Sequence, residues 1–89
     1  MTRRVPGVHS VALLPRNAQI ARFVEGLGAM WERYGLPRGP GRIFGLLLLA
    51  GRPLSAEQIA ETLRISRSGV STDVRALLTL GVVERIRVP

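Results

Sequence analysis

Hydroxyl and guanidinium side chains crowd one short stretch of this chain, in Ser66, Arg67, Ser68, Ser71, Thr72 and Arg75. Ser68, Ser71, Thr72, Arg75 and Thr79 recur at three- and four-residue steps, which places them on one side of a helix. Short hydroxyls let a helix lie close to a surface of hydrogen-bonding edges. An arginine on the same side can fork onto a paired acceptor such as guanine O6 and N7. Arg67, at the start of that helix, points off its end, where free backbone N–H groups already attract anions. Further on, Arg85 and Arg87 alternate with Val82, Ile86 and Val88, so a strand over 82–88 would carry its two cations side by side. This chemistry is suited to a polyanion with readable edges.

The bulk composition agrees. Thirteen basic residues, all arginine, against six acidic ones give a formal charge of +7 over 89 residues, which favours nucleic acid or an anionic membrane as partner. The content of 46% hydrophobic residues is too high for a disordered tail, and the length allows one small core that a second subunit could extend. With no cysteine there is no disulfide, thiol nucleophile or cysteine-bound zinc, and the cytoplasm is the expected compartment. His9 alone cannot build a histidine metal site, and the scattered carboxylates form no acid–base pair, so neither an enzyme nor a cofactor is expected.

Helices must position these groups. Residues 1–15, broken by Pro6, Gly7 and Pro15, read as a flexible arm without a secretion signal, followed by a single domain over 16–89. Over 17–34 the residues Ile20, Val24, Leu27, Trp31 and Tyr34 step by four and three, flanked by Phe23 and Met30. This predicts an amphipathic helix facing the core or a second subunit. Gly26 and Gly28 weaken it unless another backbone packs closely there. A break rich in proline and glycine follows. Residues 40–50 then form an apolar, buried helix closed by Gly51, about half the length needed to cross a membrane.

Ser55 and Gln58 have the form of a capping box opening a helix over 55–63, and Ser66 can cap another over 66–80 that ends at Gly81. On the second of these, Val70, Val74, Leu77 and Gly81 lie within about 60° of each other and make the inward stripe. Ala60 lets the two helices approach, and Ile65 plugs the turn between them. Two short helices sharing a tight turn, followed by a basic strand, have the order of a mainly α winged helix-turn-helix with a short, incomplete β-wing.

The chain resembles the MarR-type winged-helix transcriptional regulators, most closely their GbsR-like branch. The resemblance covers roughly residues 23–89. It runs through Gly35-Leu36-Pro37-Arg38, Gly41-Arg42-Ile43, Pro53-Leu54-Ser55, Ile59-Ala60, Leu63, Ser66-Arg67 with Val70-Ser71, and Arg75-Ala76-Leu77 to Gly81-Val82-Val83. It implies a homodimer that binds a palindromic operator in double-stranded DNA, represses nearby genes and releases DNA when a small-molecule effector binds. By the same resemblance Ser66, Arg67, Ser68, Ser71, Thr72 and Arg75 match the recognition helix, and Arg85 and Arg87 the first wing strand.

The sequence departs from that family at two places. Arg64 stands where the helix–helix turn usually has glycine, and Pro89 falls where the wing would turn back, so the chain is expected to be a fragment or to be completed in another way. A lone strand is unstable, so 82–88 is expected to pair with Pro53-Leu54, with the Val8–Leu14 arm or with another chain. A winged helix used only for protein docking is the competing reading; it would favour exposed aromatic anchors, whereas the lone Trp and Tyr lie in the 17–34 helix. A membrane-surface peptide fits poorly, since that helix mixes Glu25 and Glu32 with Arg22 and Arg33.

Overall fold

The computed structural model describes residues 16–86, in which four helices form: α1 (Arg16–Arg33), α2 (Arg38–Ala50), α3 (Ala56–Leu63) and α4 (Arg67–Leu80). The arm over 1–15 and the wing residues Arg87 and Val88 lie outside the described residues.

Helix α1 follows the predicted stripe as far as Trp31, burying Val24, Gly28 and Trp31. It closes on Gly35 at φ 77°, with the Leu36 N–H donating to the Trp31 carbonyl at 2.9 Å and the Gly35 N–H to Glu32 at 3.0 Å. This left-handed closure carries Tyr34 out of the stripe, and the residue is 79% exposed. Phe23 and Met30 also face outward rather than widening the core face.

Helix α2 starts two residues before the predicted boundary, at Arg38 after Pro37. Pro40 sits in the first turn, where its missing N–H would have had no partner inside the helix, so it does not delay the start. The buried helix expected over 40–50 is buried on one side only. Ile43, Gly45 and Leu46 are buried while Leu48 and Leu49 are exposed, because α1 and α4 cover only one side.

Close backbone approach explains the glycines between α1 and α2. A Cβ on Gly41 would lie 2.7 Å from Trp31 Cγ and 3.1 Å from the Leu27 carbonyl oxygen, and one on Gly28 would lie 2.8 Å from Arg42 Cγ. Gly26, by contrast, faces open space. The Gly41→Ala protein is therefore expected to unfold at lower urea, losing about 1–3 kcal/mol through displacement of the Trp31 ring. Gly26→Ala should gain stability, up to about 1 kcal/mol.

An ionic clamp adds to this contact. Glu25 accepts from Arg42 Nε at 2.9 Å and from Arg38 at 3.2 Å, and Glu32 accepts from Arg38 at 2.8 Å. The hydrogen bonds to Glu32 and Glu25 raise the Arg38 guanidinium above its ordinary value. Two arginines are thus committed to holding the helices together.

The core joins Val24 and Trp31 to Ile43 and Leu46, Ile59 and Ala60, and Val70 and Leu77, so each helix contributes two residues. Trp31 also meets the Phe44 ring at 5.8 Å between centroids. Asp73 of α4 points at the first turn of α2, where its carboxylate occupies the place a side chain on Gly39 would need. Partial burial raises the Asp73 carboxyl above its ordinary range, opposed by the charge of Arg42. A carboxyl raised in this way favours folding most in acid, and that contribution is lost as the pH climbs through the raised value. Asp73→Asn should accordingly be more stable than the parent near neutral pH in urea titrations, and the gap should close on acidification.

Beyond Gly81 no strand forms among the described residues. The wing strand expected over 82–88 is not shown among the described residues, and residues 82–86 face differently from the expected alternation. Val82 and Ile86 are exposed, whereas Val83 packs against the core. The Val82 N–H is drawn back onto the Leu77 carbonyl at 3.3 Å to finish α4, which turns the next residue inward. Pro53–Gln58 and Val83–Ile86 border a shared cleft of about 880 Å³ instead of pairing, and among the described residues no ladder bonds join the two segments.

Candidate nucleic-acid interface

The capping box at α3 forms in full. The Gln58 N–H donates to Ser55 Oγ at 3.0 Å and the Ser55 N–H to Gln58 Oε1 at 2.9 Å. After the eight residues of α3 the chain reverses through Arg64 and Ile65, the latter half-buried against the core, and α4 follows from Arg67. Val70 and Leu77, both fully buried, fix which side of α4 faces inward.

That orientation leaves Ser66, Arg67, Ser68, Ser71, Thr72 and Arg75 all exposed. The structure brings these predicted residues together, but it does not leave them equally free. Ser66 Oγ accepts the Gly69 N–H at 3.0 Å and contacts Ser68 Oγ at 3.2 Å, so Ser66 acts first as the cap that starts α4. Thr72 donates its hydroxyl proton to the Ser68 carbonyl at 3.1 Å and so offers a partner only oxygen lone pairs and a methyl group. Thr79 is tied in the same way to Arg75 at 3.0 Å. Arg67, Ser71 and Arg75 have no side-chain partner among the described residues and keep their full donor sets.

The electrostatics sharpen this face. Asp73, the one acid on α4, is turned toward α2, so α4 itself presents no carboxylate outward; Glu57, Glu61 and Glu84 lie along the cleft that Ser71 borders. Arg85 is exposed, and it borders the cleft that Ser71 also lines, so the segment after α4 reaches the edge of the same face. Arg87 lies outside the described residues. Arg64, which stands where the turn usually has glycine, is also exposed, has no side-chain partner among the described residues and lies directly before this face. Among the described residues no cluster of His, Asp or Glu could hold a metal ion, and no helix is long and apolar enough to cross a membrane.

Comparison with known proteins gives this arrangement a family. HTH-type transcriptional regulator MmpR5 of Mycobacterium tuberculosis (strain ATCC 25618 / H37Rv) is 39% identical over 70 residues, covering 78% of this chain and 42% of that protein. Putative HTH-type transcriptional regulator YvaV of Bacillus subtilis (strain 168) is 23% identical over 64 residues, covering 72% of this chain and 36% of that protein. The chain thus spans less than half the length of these curated relatives. No solved structure matches it. A model of the MarR family matches residues 34–89, a span that takes in α2, α3, α4 and the whole exposed face just described, and the chain belongs to that family.

Proposed function

We propose that this chain is the DNA-binding portion of a transcriptional regulator and that it reads a specific double-stranded operator by laying α4 in the major groove. The observation that carries this reading is the outward face of α4, on which exposed Arg67, Ser71 and Arg75 have no side-chain partner among the described residues, while Asp73, the one acid of α4, is turned away toward α2. Arg75 is the base reader, forking onto guanine. Ser68, Ser71 and Thr72 allow close approach, and Arg67 holds a phosphate at the helix start. Arg85 and Arg87 extend the backbone contact to the flanking strand, whether or not a full wing forms. The relatives' description as HTH-type transcriptional regulators supports the same role.

The regulator acts in the cytoplasm as a repressor of the GbsR-like kind, and as a homodimer on half-sites about 34 Å apart. Phe23 and Met30, apolar and exposed one above the other on α1, support the dimer. A small-molecule effector would act through parts beyond those described. Selection of bound duplexes from a random pool, followed by titration of the winner at several salt concentrations, tests the proposal. An enriched palindrome with a steep fall of affinity in salt is expected. A pool that never converges, with no binding in dilute salt, would return the fold to protein docking.

A further inference from the structure

Arg64 joins α3 to α4 at φ 57° and ψ 48°, and it is the one non-glycine with positive φ among the described residues. An L side chain in this left-handed region crowds the following carbonyl, which glycine avoids. The other three helices end on Gly35, Gly51 and Gly81 at φ 77°, 63° and 76°. The chain therefore uses glycine at every helix end except the one inside the helix-turn-helix. Nothing among the described residues holds the arginine side chain there. Its side chain is exposed and makes no ion pair or hydrogen bond among the described residues, while its backbone N–H simply closes α3 on the Ala60 carbonyl. A strained residue without a packing reason directs attention to what lies outside the fold.

Arg64 precedes the cap Ser66 by two residues and Arg67 by three, at the rim of the unpartnered face. When a recognition helix enters the groove by its N-terminal end, the preceding reversal lies over the wall of the groove, where phosphates run. We propose that Arg64 is a DNA-backbone contact, neutralising a phosphate next to the one held by Arg67, and that the helix-turn-helix gives up stability at this turn to keep a cation there. The inference rests on α4 entering the major groove.

The test compares Arg64→Gly and Arg64→Asn, which suit the left-handed turn without the charge, with Arg64→Lys, which keeps the charge. All are made in the full chain and measured on the selected duplex and on a mixed-sequence duplex of about three helical turns. Arg64→Gly is expected to melt about 2–5 °C higher than the parent. Its affinity should nevertheless fall by about eightfold at about 0.1 M salt on both duplexes, with the salt slope reduced by about 0.9. Arg64→Asn should lose affinity equally, and Arg64→Lys should stay within about twofold of the parent with its slope intact. Parental affinity and slope in Arg64→Gly would overturn this proposal alone. Failure of the unsubstituted chain to bind either duplex would overturn it together with the groove reading.

Discussion

Replacing Arg75 with alanine should weaken binding to the selected duplex by about 1–3 kcal/mol, roughly 5- to 150-fold, and should erase preference at one base position. The side chain is exposed and unpaired, so its loss leaves the fold intact, and thermal melting should stay within about 0.5 kcal/mol of the parent. Binding to mixed-sequence DNA should change little, because phosphate contacts from Arg67 and Arg85 persist. This selectivity separates a base reader from a general cation: an equal loss on both duplexes would move Arg75 to the backbone. Lysine at this position should recover the charge but only part of the preference, since an ammonium cannot fork onto two acceptors.

Leu77→Ala is expected to have the largest effect on folding. Leu77 is fully buried in the core shared by the four helices, and its carbonyl also accepts the N–H groups of Gly81 and Val82 that close α4. Deleting such a side chain costs about 2–5 kcal/mol, most or all of the margin of a domain this small. Urea titration should show an unfolded or barely folded protein, and DNA binding should disappear with the fold. Leu80→Ala, three residues on and about half exposed at 49%, should stay within about 0.5 kcal/mol of the parent. Comparable stability in the two variants would mean that α4 is held by something other than its inward stripe.

The helix-turn-helix was largely legible because its boundaries are written in local chemistry. Ser55 with Gln58, Ser66, Gly51 and Gly81 satisfy backbone groups at helix ends wherever they fall, and each does so here. The exposed face of α4 followed from periodicity once Val70 and Leu77 were read as inward. Features that depend on distant partners were less visible. Pro40 reads as a breaker but is harmless in a first turn, and that depends on where Pro37 lets the helix begin. The alternation in 82–88 describes a strand only if a neighbouring backbone supplies its hydrogen bonds, and the Pro53–Gln58 segment stands across a cleft. Arg38 and Arg42 counted toward the basic charge, yet pairing with Glu25 and Glu32 across the α1–α2 contact removes them from service to a partner. No local signal marks such pairs, 6 to 17 residues apart. The left-handed backbone of Arg64 was half-legible, since position 64 is where the turn usually has glycine, but an arginine there gives no local sign that it adopts the glycine conformation.

Methylation of guanine N7 blocks the major groove at single bases and leaves the phosphates and the minor groove untouched, so interference footprinting on the selected duplex meets the central claim head on. Binding should fail when particular guanines in each half-site are methylated, and Arg75→Ala should become indifferent at one of them. Full binding to duplexes methylated at every guanine N7 would place the contact outside the major groove and contradict the role assigned to α4.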